Sequence, residues 1–228
     1  MIQAFLFDKD ATLLDFGKMW GEWAFTHLTE LAQGDAALFH TLAAAIEYDP
    51  QIRNFAPSSP VIAGTPEEGV DLMLPHLPNW TRDALLRHSN DTARTAPVHA
   101  IVPLEPVLTR LGKTAKLGVA TNDSAHSARA HMETLGLAHH FTAILGSDSG
   151  HGAKPGPGMC LAFADQTGLD PAQIAMVGDS LHDLHAGRAA GMICVGVTSG
   201  FATADELKDH ADIVLDDVSQ IPDWAASR

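Results

Sequence analysis

Short apolar runs recur along the chain, with amphipathic segments between them. The runs cover residues 4–7, 117–120, 143–145, 174–177, 193–197 and 213–215. Each shows little polar alternation, which is the pattern of a strand buried on both faces, as in a parallel sheet. The segments between them carry helix stops. Gly136 follows Met132-Glu133-Thr134-Leu135, Gly168 comes soon after Leu161-Ala162-Phe163-Ala164, and Gly191 follows Ala189-Ala190. Glycine at such positions suits the left-handed residue that closes a helix. Asp170-Pro171-Ala172-Gln173 reads as an N-cap, a proline at N1 and a capping-box glutamine. This alternation predicts a doubly wound α/β domain with a parallel sheet.

One stretch departs from the pattern. Between Leu14 and about Pro97 no strand is expected. Phe16, Trp20, Trp23, His27 and Leu31 recur at helical spacing, and Gly34 ends that run. Leu38, Leu42 and Ile46 continue on a second helix that Asp35 could cap. Thr65-Pro66-Glu67-Glu68 is a capping box for a third, and residues 82–94 suit a fourth. The connection 48–64 holds Pro50, Pro57 and Pro60 and reads as a loop. The expected organisation is therefore an α/β core over residues 1–14 and 99–228, with an α-helical cap over residues 15–98. The aromatics of the first helix are expected to pack, because a small helical unit must bury one face.

The length of 228 residues accommodates one α/β domain and a smaller unit. Fourteen Lys and Arg face 28 Asp and Glu, a formal charge of −14. That surface repels nucleic acid and anionic membranes, so neither is an expected partner. It also means that a phosphorylated ligand needs local positive charge. Cys160 and Cys194 form no CxxC pair and are expected as buried, reduced thiols. The first residues lack a basic leader, and no run approaches the roughly 20 apolar residues of a membrane helix. The expectation is a cytoplasmic protein, monomeric or homodimeric.

Ligands of open parallel sheets bind at the carboxyl ends of the strands. The first strand is followed by Asp8-Lys9-Asp10-Ala11-Thr12, and the second by Thr121-Asn122-Asp123. The third runs on through Ser147 and Asp148 to Lys154-Pro155, and the fourth leads to Gly178-Asp179-Ser180, with Asp183 one helical turn beyond. Each piece alone has a plain structural reading: Asp-x-Asp in a turn, Asp179 as an N-cap, Lys154 on the surface. Together they bring carboxylates, a hydroxyl and an ammonium to one sheet edge. Clustered carboxylates cannot all stay ionised without a cation, and magnesium takes oxygen ligands. Asp8 can then act as a nucleophile in phosphoryl transfer, with Asp10 as proton shuttle. Thr121, Lys154 and the metal balance the phosphoryl charge.

These four motifs, in this order, resemble the haloacid dehalogenase superfamily, in its phosphatase branch with a helical cap after the first strand. The resemblance extends through Ala189-Ala190-Gly191-Met192 and Val197-Thr198-Ser199-Gly200, and is closest to phosphoglycolate phosphatase-like members. It implies an Mg2+-dependent phosphatase acting on a small phosphorylated metabolite, phosphoglycolate-like or a sugar phosphate, through an aspartyl phosphate. It implies Asp8 as nucleophile and metal ligand, and Asp10 as general acid/base giving the metal its backbone carbonyl. Thr121, Asn122 and Lys154 would contact substrate. Asp179 would be a metal ligand, and Asp183 would support the metal or Lys154. Ala11 departs from the glycine usual there; at positive φ it would cost about 1 kcal/mol.

Other readings stay within reach of the same residues. A dehalogenase needs no metal and generally lacks a carboxylate at the position of Asp10. A phosphosugar mutase differs mainly in its cap. A phospho-acceptor signalling domain places its aspartate after the third strand, unlike Asp8. A catalytically weak, ligand-binding member would keep the fold. His182 and His185 flank Asp183 and are expected in surface or packing roles.

Overall fold

The computed structural model describes residues 2–227. Strand β1 (Ala4–Phe7) is buried at every position and opens directly onto the segment 8–14. Helix α1 (Phe16–Ala32) begins at Asp15, whose carboxylate accepts from Lys18 N, and ends where Gln33 turns left-handed. Helix α2 (Ala36–Ala45) is capped by Asp35 as expected.

The connection that follows is not all loop. Strands β2 (Tyr48–Asp49) and β3 (Asn54–Phe55) pair antiparallel. Two residues per strand are too few to show an alternation in the sequence. Packing on α1 holds the hairpin instead: Tyr48 Oη donates to Gly21 O at 2.8 Å, and Phe55 meets Phe16 edge-on. Gly21 is required here, because a Cβ would collide with the Arg53 carbonyl. Helix α3 (Pro66–Met73) opens with the reciprocal Thr65–Glu68 box, and α4 (Arg82–Ala93) with Thr81. These helices enclose an apolar cluster of their own that includes Leu28, Leu42, Val70 and Leu85.

The remaining elements are α5 (Leu104–Gly112), β4 (Lys116–Ala120), α6 (Ala125–Thr134), β5 (Ala143–Leu145), α7 (Gly158–Thr167), β6 (Ile174–Gly178), α8 (Leu181–Ala189), β7 (Ile193–Val197), α9 (Ala204–Leu207), β8 (Ile213–Leu215) and α10 (Ile221–Ala226). Six strands form one parallel sheet in the order β5-β4-β1-β6-β7-β8. Strand side chains alternate between faces. Phe5 and Phe7 join Leu117, Val119 and Val177 under α5 and α6. Ala4 and Leu6 join Met176 under α7, with Phe163 and Cys160. Helices on both faces explain why the strands read as unbroken apolar runs. Cys160 and Cys194 are free and buried, and burial pushes the Cys160 thiol up to about 12.

The helical insert leaves and rejoins the core side by side. Asp15 N donates to His99 O at 2.8 Å, Ile101 N donates to Leu13 O at 3.0 Å, and Leu14 bridges Ala100 antiparallel. Strand order reverses on either side of β1, so the crevice at its carboxyl end is the switch point where such sheets bind ligands. Among the described residues no helix is long and apolar enough to cross a membrane.

Candidate active site

The carboxyl ends of β1, β4 and β6 deliver Asp8, Thr121 and Asp179 to that crevice, and all three are buried. Lys154 arrives from the segment after β5. Its Nζ donates to Asp8 Oδ1 and Asp183 Oδ1, both at 2.6 Å, and to Ala120 O at 2.8 Å. Asp183 stands in the first turn of α8, where Ser180 Oγ donates to its Oδ2 at 2.6 Å. Gly178 leaves room for this carboxylate; a Cβ there would overlap it. Asp179 Oδ1 accepts from Thr12 Oγ1 at 3.1 Å, and Gly200 leaves space beside it.

Oxygens of Asp8, Asp179 and Asp183 all lie within 4.8 Å of one another. Three carboxylates thus crowd one ammonium. Burial pushes the Asp8 carboxyl up to about 7 against the pull of Lys154, with Asp183 and Asp10 adding to the push. Burial, then Asp183 and Asp8, raises Asp179 well above the usual carboxylate range. Burial disfavours the Lys154 ammonium, yet Asp183 and Asp8 outweigh it and raise Lys154 above the ordinary lysine range. An all-oxygen cluster with unbalanced negative charge fits a small hard divalent cation.

Asp10 sits on the same cavity wall but belongs to a second network. Its Oδ1 accepts from Trp20 Nε1 at 2.7 Å, and Lys9 Nζ lies 2.9 Å from the carboxylate. Lys9 is fully buried and also reaches Asp123 Oδ2 at 3.0 Å and His131 Nδ1 at 3.3 Å. His131 Nε2 lies 2.8 Å from Ala93 O on α4, so the ring donates there and accepts from Lys9. Burial drops this histidine to about 4, which keeps it neutral. The sequence offers no sign of these roles for Trp20, Asp123 and His131. A lysine between two aspartates was the one available clue.

Asn122 lines the cavity, and its carboxamide is bonded to backbone groups. Its Nδ2 donates to Ala63 O at 2.8 Å and Lys154 O at 3.0 Å, and its Oδ1 accepts from Lys154 N at 2.8 Å. The carboxamide is committed to the backbone, clamping the Lys154 segment and tying the insert to the core. Thr121 Oγ1 accepts from Asp123 N at 3.1 Å while also lining the cavity. His182 lines the cavity too, whereas His185 is exposed and meets His210. Ala11 has φ 61°, and its carbonyl accepts from Ser199 Oγ at 2.8 Å.

A family model described as haloacid dehalogenase-like hydrolase matches residues 5–197. The chain spans about half the length of the curated relatives it matches. Probable phosphatase IndB of Dickeya dadantii is 40% identical over 111 residues, 48% of each chain. A phosphoglycolate phosphatase of Neisseria meningitidis is 40% identical over 108 residues, 47% of this chain and 43% of its own. Among solved structures, CbbY from Rhodobacter sphaeroides in complex with phosphate has a TM-score of 0.74 at 19% identity, covering 97% of this chain and 96% of that one. A putative β-phosphoglucomutase from Thermotoga maritima has a TM-score of 0.67 at 16% identity, covering 99% of both. These two structural matches establish the fold.

Proposed function

The chain belongs to the haloacid dehalogenase-like hydrolase family, and on that premise we propose that it is an Mg2+-dependent phosphatase of a small phosphorylated metabolite. The observation that carries the reading is Lys154 Nζ bridging Asp8 and Asp183 at 2.6 Å, beside a third carboxylate, Asp179. The names of the curated relatives support a phosphatase. The acidic surface and the free buried thiols suit a cytoplasmic enzyme that binds neither nucleic acid nor membrane.

Asp8, Asp179, Asp183 and the backbone carbonyl of Asp10 would hold the magnesium ion. When bound, it would offset charge on the phosphoryl oxygens. Asp8 attacks phosphorus, the ester P–O bond breaks, and Asp10 gives its proton to the leaving oxygen. Asp10 then takes a proton from water as that oxygen attacks phosphorus, and Asp8 departs as a carboxylate. Lys154 holds Asp8 in place and balances the phosphoryl charge. Thr121 offers its hydroxyl from the same strand edge.

The test is hydrolysis of a generic aryl phosphate together with labelling of the protein by radioactive phosphate. Turnover should need magnesium, stop with chelator, and vanish with the label in Asp8→Asn. Full activity in chelator, or label trapped on Asp8→Asn, would sink the proposal.

A further inference from the structure

The cavity above Asp8 is roofed by the insert. Trp20 and Trp23 of α1, Phe55 of β3, Ile62, and Val70 and Met73 of α3 supply much of that roof. Every charged side chain on the wall comes from the core: Asp8, Asp10, Asp123, Asp179 and Asp183, with Lys154 as the cation. The insert contributes none. Its basic residues, Lys18, Arg53, Arg82, Arg87 and Arg94, are all exposed and lie outside the cavity. Three of them are held by surface carboxylates: Lys18 by Asp15, Arg53 by Glu22 and Arg82 by Asp71. The roof's polar side chains are neutral, namely Thr65, Ser89 and Asn90. Two of those are already bonded, Thr65 Oγ1 to Glu68 N and Ser89 Oγ to His27 Nε2.

This composition selects the part of the substrate that is not phosphate. A second carboxylate would be buried against aromatic and branched side chains, with no cationic side chain in the roof to balance it. The hydroxyls of a sugar would lose water and find few partners. An apolar body gains from the same wall. The cavity measures about 140 Å³ with the phosphoryl end included, so the rest of the substrate has at most the space of one ring, since an apolar cavity of roughly 150 Å³ takes up benzene.

We infer that the substrate is a phosphate monoester whose remaining part is uncharged, mainly apolar and no larger than about one ring. The inference rests on the phosphatase reading for its chemistry, and on the roof alone for its selectivity.

Two measurements separate the two claims. The first is kcat/KM in magnesium for benzyl phosphate, butyl phosphate, phosphoglycolate and a hexose 6-phosphate, all of which release a primary alkoxide. Benzyl phosphate should lead phosphoglycolate and the hexose phosphate by about tenfold or more, the scale of one apolar group in a fitted pocket. The second is calorimetric binding of the non-hydrolysable phosphonate analogues of benzyl phosphate and phosphoglycolate. The benzyl analogue should bind more tightly by a similar factor. Ile62→Arg should narrow or reverse both preferences, because it places a cation in the roof. Turnover led by phosphoglycolate or the hexose phosphate would overturn the inference and leave the phosphatase standing. Selective binding of the benzyl analogue with no turnover of any ester would overturn the phosphatase reading and leave only the selectivity of the roof. Equal binding of both analogues by the wild type would also overturn the inference.

Discussion

The indole N–H of Trp20 donates to Asp10 Oδ1 at 2.7 Å, across the boundary between insert and core. The proposed proton shuttle is thus oriented by a residue of the cap. Trp20→Phe keeps a ring and removes the donor. A hydrogen bond to a charged group contributes about 1.5–3 kcal/mol, so kcat should fall by roughly tenfold or more. The check is steady-state kinetics on one substrate. An unchanged kcat would mean that the bond does not orient Asp10 during turnover.

Asp10→Asn tests the shuttle itself. Turnover should slow by about 10²–10⁴, the range for losing a general acid/base. The phosphorylated Asp8 should then persist, because the second half-reaction lacks its base. Rapid-quench labelling measures this directly. A variant as fast as the wild type would show that another group moves the proton.

Lys9 is the most deeply placed cation of the second network, within 3.0 Å of both Asp10 and Asp123. Lys9→Met would leave Asp10 and Asp123 without their shared cation, each keeping one neutral donor, Trp20 Nε1 and Ser124 N. Breaking a buried pair in this way costs about 3–5 kcal/mol. Urea denaturation should show a loss of that order, and a loss below about 1 kcal/mol would contradict the assignment.

Ala11 holds φ 61°, a conformation that costs an L-residue about 1–2 kcal/mol. Ala11→Gly relieves that strain and gives back part of it as chain entropy in the unfolded state, about 0.4–1 kcal/mol. The net expectation is a gain of roughly 0.5–1 kcal/mol, or a rise in Tm of about 1–4 °C for a chain of this size. A lower Tm would show that the alanine methyl packs favourably enough to outweigh its backbone.

His27 is buried between Trp23 and His88, with Ser89 Oγ 3.1 Å from its Nε2. Burial lowers it to about 3. The folded state therefore resists a proton that the unfolded state accepts near pH 6.5. Its contribution is fully present above pH 6.5 and is lost as pH falls toward 3. Between pH 7 and pH 5 this amounts to about 2 kcal/mol. His27→Gln should flatten the decline of Tm over that interval relative to the wild type. Parallel declines in the two proteins would remove His27 as the cause.

Much of the core was legible because each strand is buried on both faces. All six apolar runs are strands of the sheet, and Gly136, Gly168 and Gly191 all have positive φ. The caps at Asp35 and Thr65 were legible because capping is local chemistry. The hairpin of β2 and β3 was not, since its stability comes from contacts of Tyr48 and Phe55 with α1 rather than from its own sequence. The backbone partners of Asn122 were not legible, because sequence order shows which strand end a residue occupies, not which groups its amide finds. Lys9, Trp20 and His131 are 11 to 122 positions apart, and no local pattern connects them. The same holds for the apolar roof, whose members looked like ordinary packing residues and do pack, but around a space continuous with Asp8.

The paired crossings at Leu13–Asp15 and His99–Ile101 give the insert a footprint no wider than a tight turn. Viewed from the sheet, its length is nearly invisible: closure entropy grows only as the logarithm of loop length. A differently shaped insert can therefore be grafted onto this stem while Asp8, Asp179 and Lys154 keep their supports in the sheet. In the host chain, that makes the supports of Asp8 and the choice of clientele separately heritable parts, joined where Trp20 holds Asp10.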